Sequence, residues 1–99
     1  MKINRTLDGS KLTLALEGRL DTTTAPELES ELRDSLSSAT ELTLNFAALD
    51  YLSSAGLRVI LSAQKQMNAK KGKMVVTHVN ETIQEVFEVT GFVDILTIE

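Results

Sequence analysis

A change of hydrophobic period in the middle of the chain constrains its fold more than any other feature. Leu42-Thr43-Leu44-Asn45-Phe46 alternates apolar and polar residues, the period of a strand with one buried face. Leu57, Ile60, Leu61, Gln64 and Asn68 then recur with helical spacing. Ser53, Ser54, Ala55 and Gly56 lie between the two patterns. A strand therefore hands over to a helix, with two hydroxyls at the junction. The first N–H groups of a helix have no partner inside it, so Ser53 or Ser54 is expected to accept from one of them as a cap. The same end favours negative charge, because the free N–H groups and the helix dipole both point there. Capping alone accounts for both serines. A phosphate esterified to Ser54 would also be well placed.

The flanking sequence extends the pattern. Lys2 to Leu7 reads as a strand, and Asp8-Gly9 is a strong hairpin signal. Leu12, Leu14 and Leu16 alternate with Thr13, Ala15 and Glu17 in a second strand that ends at Gly18. Arg19 to Glu27 forms a loop entering a helix. Thr24 and Glu27 have capping-box spacing, and Pro26 falls in the first turn, where its missing N–H does little harm. Ala25, Leu28, Leu32 and Leu36 mark the buried stripe, and Ser35 to Thr40 is a polar connection. The following strand is expected from Glu41 to Ala47, with only small and polar residues on its second face.

The central helix is expected from Ser54 to about Ala69. Its wide apolar set predicts burial against both the sheet and a neighbouring helix, or against a partner surface, with burial inside the domain favoured. Lys70-Lys71-Gly72-Lys73 is a turn, with cations complementing the helix dipole and Gly72 suited to the C′ position. Lys73 to Thr77 is a short buried strand. Asn80 caps a last helix bearing Ile83, Val86, Phe87 and Thr90, and Gly91 stops it. Phe92 to Ile98 is expected to be an edge strand anchored by Ile95, Leu96 and Ile98. The order β-β-α-β-α-β-α-β places the chain in the α/β class. It predicts a mixed sheet with helices packed mainly on one face. Right-handed crossovers make the strands that flank helices parallel. Residues 1–99 are expected to form one domain.

Composition narrows the chemistry. The chain has 42% hydrophobic and 24% charged residues and a net charge of −4. An acidic balance offers no electrostatic grip on nucleic acid or an anionic membrane, so no nucleic-acid partner is expected. No apolar run approaches the roughly 18 residues of a membrane span, so no membrane insertion is expected. The absence of Cys excludes disulfides, thiolate metal sites and a Cys nucleophile, and fits a cytoplasmic protein. No Gly-rich phosphate loop is present, and neither cofactor nor metal is implied. His78 is the only histidine. A hydrolase would require Ser54, His78 and an acid to converge, which the spacing does not support. A binding module is favoured over an enzyme.

The run Leu49-Asp50-Tyr51-Leu52-Ser53-Ser54-Ala55-Gly56-Leu57 resembles the signature of the STAS domain of bacterial anti-sigma factor antagonists. Gly18-Arg19-Leu20-Asp21 and Thr90-Gly91-Phe92 extend the resemblance over nearly the whole chain. In that family an Asp precedes the serine that the partner kinase phosphorylates. The matching positions here are Ser53, a departure, and Ser54. The resemblance implies phosphorylation at Ser54 and capture of an anti-sigma factor of the GHKL kinase type. It also implies release of a sigma factor and resetting by a metal-dependent serine phosphatase. The implied partner surface comprises Asp21, Thr22, Thr23, Ser53, Ser54, Ala55 and Gly56; Arg58, one turn beyond Ser54, is placed to meet a phosphate or a partner carboxylate there. Asp21 also reads as a loop carboxylate satisfying backbone N–H groups, and Arg58 as a solvated cation. The alternative is a STAS subunit regulating a transporter ATPase, as in lipid-transport systems.

Overall fold

The leucine alternation of the second strand builds the core. The computed structural model describes residues 1–99. β1 (Lys2–Asp8) and β2 (Lys11–Leu20) form an antiparallel hairpin around a turn in which Gly9 takes φ +63°. β3 (Glu41–Leu52) and β4 (Lys73–Thr77) follow in a sheet of order β1-β2-β3-β4. The β2–β3 and β3–β4 pairs are parallel, as helical crossovers require. α1 (Ala25–Ser35) makes the first crossover and α2 (Ser54–Ala69) the second. α3 (Glu81–Thr90) follows β4.

Leu12, Leu14 and Leu16 of β2 and Leu42, Leu44 and Phe46 of β3 are all essentially inaccessible. They pack with Leu28 and Leu32 of α1, Ile60, Ala63 and Met67 of α2, and Ile83 and Phe87 of α3 in one hydrophobic cluster. The alternate residues Thr13, Ala15, Thr43 and Asn45 are only half-buried. The helices therefore cover one face of the sheet. α2 contributes Leu57, Val59, Ile60, Ala63 and Met67 to the core and packs against both α1 and the sheet, as its wide apolar set predicts.

β3 is five residues longer than the alternation indicates. The pairing steps from Ala15↔Asn45 to Glu17↔Ala48, and from Gly18↔Leu49 to Arg19↔Tyr51. An extra β3 residue is accommodated at each step, as in a β-bulge. The buried positions accordingly fall at Phe46, Leu49 and Leu52, three apart instead of two. The bulges keep leucines facing the core while the sequence period is lost.

Three further local expectations are corrected. Phe92 to Ile98 is not a strand: Phe92–Asp94 form a 3-10 turn, and only Ile98 makes a single parallel bridge, to Val76. Phe92 stacks with Phe87 at 6.4 Å, and Leu96 is buried while Ile95 is exposed. Folding back buries Phe92 and Leu96 better than an extended edge would. At the end of α2 the left-handed residue is Lys71 (φ +58°), not Gly72. A Cβ on Gly72 would lie 2.7 Å from Met67 Cε and 2.8 Å from the Thr40 carbonyl, so glycine is required there for space. At the start of α1, Thr24 makes no side-chain cap bond, and the expected capping box is absent.

Candidate functional site

The start of α2 is built from β3 outward. Ser53 has extended backbone geometry and its hydroxyl accepts the Gly56 N–H at 3.4 Å, so Ser53 is the cap. Ser54 is the first helical residue and is exposed. Its hydroxyl lies outside the capping geometry. Gly56 is buried, and a Cβ there would come within 2.7 Å of Leu20 Cγ and 2.8 Å of Leu52 Cδ1. Its role is to let the first turn of α2 sit directly on the ends of β2 and β3. Ala55 is half-buried, and Arg58, one turn on from Ser54, is exposed.

The Asp21 loop leaves the sheet beside this turn. Leu20 and Leu52 are register partners, and the Ser53 N–H donates to the Leu20 carbonyl at 2.9 Å. Asp21 Oδ1 accepts the Thr23 N–H at 3.0 Å and the Thr24 N–H at 3.1 Å, with the Thr24 hydroxyl 3.2 Å away. That hydroxyl accepts the Asp21 N–H and donates to the Arg19 carbonyl at 2.7 Å. Asp21 thus satisfies loop amides that precede α1. Asp21 Oδ2 faces only the Arg19 Nε, at 3.7 Å. The backbone N–H of Thr24 holds the Asp21 carboxyl below its ordinary pKa. The Thr23 N–H, the Thr24 hydroxyl and the Arg19 charge act in the same direction, against partial desolvation.

Thr22 and Thr23 are exposed at the tip of this loop. Thr22 lines a shallow cleft with Ala55, Arg58 and Val59 of α2 and Pro26 and Glu29 of α1. Asp21, Thr22, Thr23, Ser53, Ser54, Ala55 and Arg58 are therefore gathered at one end of the molecule, with Gly56 beneath them. Two residues not singled out as site residues in the sequence join them: Arg19 lies over the ring of Tyr51, 4.1 Å from its centroid. Both flank buried leucines, but only the bulged register makes them neighbours.

His78 is exposed, and its Nδ1 lies 3.1 Å from the hydroxyl of Thr77, its chain neighbour. No hydrogen bond joins it to Ser54. No group of three or more His, Asp or Glu side chains is placed to hold a metal. No helix is long and apolar enough to cross a membrane.

These features define a small α/β domain whose helices cover one face of a mixed sheet and whose second helix begins at an exposed serine. A match to the STAS domain family spans residues 2–99, and the chain belongs to that family. It is 33% identical over 99 residues to BtrV of Bordetella bronchiseptica, a protein assigned to the anti-sigma factor antagonists; the match covers 99% of this chain and 85% of BtrV. It is 27% identical to the anti-sigma-B factor antagonist of Staphylococcus aureus, over 97% of this chain and 90% of the relative. The fold matches the solved structure of the Bacillus cell-fate determinant SpoIIAA in its phosphorylated form. The TM-score is 0.79 at 17% identity, covering 99% of this chain and 91% of that one. The family is a regulatory one.

Proposed function

We propose that this chain is a cytoplasmic anti-sigma factor antagonist that captures an anti-sigma factor of the GHKL kinase type, releases a sigma factor, and is switched off by phosphorylation of Ser54. The observation that carries the reading is the division of labour at the start of α2: Ser53 caps the helix, and the exposed Ser54 hydroxyl is left outside the cap. The names of curated relatives support the antagonist role. Among the solved neighbours, SpoIIAA carries phosphate in the form described above.

The switch follows from two environments for one side chain. On the free protein a phosphate on Ser54 is tolerated, because it sits in solvent at the positive end of α2. In a complex shaped for a hydroxyl, a new charge of about −1.5 to −2 is repelled and desolvated. A metal-dependent serine phosphatase would restore the binding form. The protein itself acts by binding and does no chemistry in this scheme. Asp21 Oδ2 and Arg58 border the surface that the partner would meet.

The test is titration of the chain with the GHKL-type anti-sigma kinase of the same genome, followed by addition of ATP and mapping of phosphate by mass spectrometry. Saturable binding, then dissociation with phosphate on Ser54, is expected. Phosphate on another residue, or binding that persists with Ser54 modified, would sink the switch. Capture of a transporter ATPase in place of the kinase would favour the other use of the fold.

A further inference from the structure

The end of the sheet that carries Ser54 also carries a held arginine. Arg19 and Tyr51 are register partners across β2 and β3, a pairing made by the second β3 bulge. The Arg19 guanidinium stacks on the Tyr51 ring, and its Nε edge faces Asp21 Oδ2 at 3.7 Å. The Arg19 backbone is held as well, since its carbonyl accepts the Thr24 hydroxyl. Despite these restraints the Arg19 side chain is 61% exposed, and Tyr51 is among the few large apolar side chains left exposed. The ring and Asp21 occupy one face and one edge of the guanidinium. The Nη edge is left to solvent.

We propose that the Arg19–Tyr51 stack is a recognition site for a carboxylate of the anti-sigma partner. The inference rests on the partner-capture reading above and adds where, and by what chemistry, the partner is selected. An Asp or Glu side chain of the partner takes the Nη edge as a bidentate pair, and the Tyr51 ring covers its apolar stem. Stacking removes rotamer freedom before binding, so less is lost when the contact forms. Tyr and Arg are also the residue types that most often dominate binding energy when desolvated at the centre of an interface. Asp21 partly offsets the guanidinium charge, so the site selects by the directed geometry of the free Nη edge more than by long-range attraction.

The test measures the affinity of the GHKL-type anti-sigma kinase of the same genome by calorimetry. It compares wild type, Arg19→Gln, Arg19→Lys, Tyr51→Leu, Asp21→Asn and Arg19→Gln combined with Asp21→Asn, with thermal unfolding as the check on folding. Arg19→Gln is expected to weaken binding roughly tenfold or more and to flatten its salt dependence. Arg19→Lys restores only part of the loss, since an ammonium lacks the fork. The loss persists in the Asp21→Asn background. Tyr51→Leu, which removes the stack, is expected to weaken binding as well. Arg19→Lys keeps stem and charge, so should Arg19→Gln fail to fold, its smaller loss is the readout, and wild-type affinity in a folded Arg19→Lys protein would then overturn the proposal. Affinity within twofold of wild type in a folded Arg19→Gln protein would overturn the proposal. So would a loss that vanishes in the Asp21→Asn background, because Arg19 would then act only by holding Asp21. In both cases the kinase still binds wild type and the partner-capture reading stands. Failure of the wild type to bind overturns that reading and this one together.

Discussion

The Ser53 amide donates to the Leu20 carbonyl at 2.9 Å, joining the adjacent ends of β2 and β3 as the chain leaves both strands. Asp21 stands one residue beyond the end of β2, and Ser54 two residues beyond the end of β3. A loop and a helix start that are 33 positions apart in the chain are thereby held on one surface. The exposed hydroxyl, the depressed carboxyl and the stacked arginine share this frame.

The cap and the switch are expected to separate by mutation. Ser53→Ala loses the side-chain bond to Gly56 and should cost about 0.5–1 kcal/mol, the lower part of the range for caps, because the bond is long at 3.4 Å. Ser54→Ala should change stability by no more than about 0.5 kcal/mol, as expected of an exposed residue without a cap role. Urea unfolding of both variants checks the assignment. A larger loss in Ser54→Ala would move the cap to Ser54.

Affinity should respond differently. Ser54→Ala is expected to bind the kinase at least as well as wild type and to accept no phosphate. Ser54→Asp should fold but bind more weakly, by about 1–3 kcal/mol where its charge is desolvated without a partner. Calorimetric titration of the three proteins decides it. Equal affinity in all three would rule out a charge-operated switch.

Ser53 stands where the resemblance places Asp. Asp caps a helix about as well as Ser, so Ser53→Asp should leave thermal stability nearly unchanged. The added carboxylate beside the acceptor hydroxyl should raise the rate of Ser54 phosphorylation by the kinase. An unchanged or slower rate would show that serine serves equally well here.

Gly56→Ala tests the close approach of α2 to the sheet. The new methyl would overlap Leu20 and Leu52 at the distances given above, and these are packed side chains beneath backbone that is itself hydrogen-bonded. Overpacking of this kind typically costs about 1–3 kcal/mol. Because the clash lies under Ser54, binding should weaken together with stability. A variant as stable as wild type would show that Leu20 and Leu52 repack freely.

The Asp21 loop should respond to acid. Its carboxyl is held below the ordinary value in the folded state, so its contribution to stability is complete above the unfolded-state pKa. That contribution is lost as pH falls through the lower, folded value. In Asp21→Asn this part of the pH dependence should be missing. Melting temperature against pH for the two proteins makes the comparison, and parallel curves would show that Asp21 carries no linkage.

Elements defined by contacts within a few residues are legible in the amino-acid order alone. α2 spans Ser54–Ala69 and α3 is capped by Asn80 and stopped by Gly91 at φ +79°, because period and caps are local properties. Leu12, Leu14 and Leu16, like Leu42, Leu44 and Phe46, alternate in the sequence because one face of their strands is buried. The serine-bearing junction is legible for the same reason: the period changes there.

Long-range pairing settles what depends on partners distant in the chain. The bulges that carry β3 on to Leu52 exist because β2 continues beside it, and no local pattern records that pairing. Phe92 and Leu96 turn inward because Phe87 and the core offer more burial than the edge of β4, although the local residues read as a strand. Which of two adjacent serines caps α2 follows from the Ser53 bond to Leu20, which sets where the strand geometry ends. The stacking of Arg19 on Tyr51 needs the same bulged register. The order of elements as far as α3 and the place of the serine junction are thus written in local residue patterns. The surface around that serine comes from the folded chain, because hydrogen bonds between strand ends place side chains that the sequence keeps far apart.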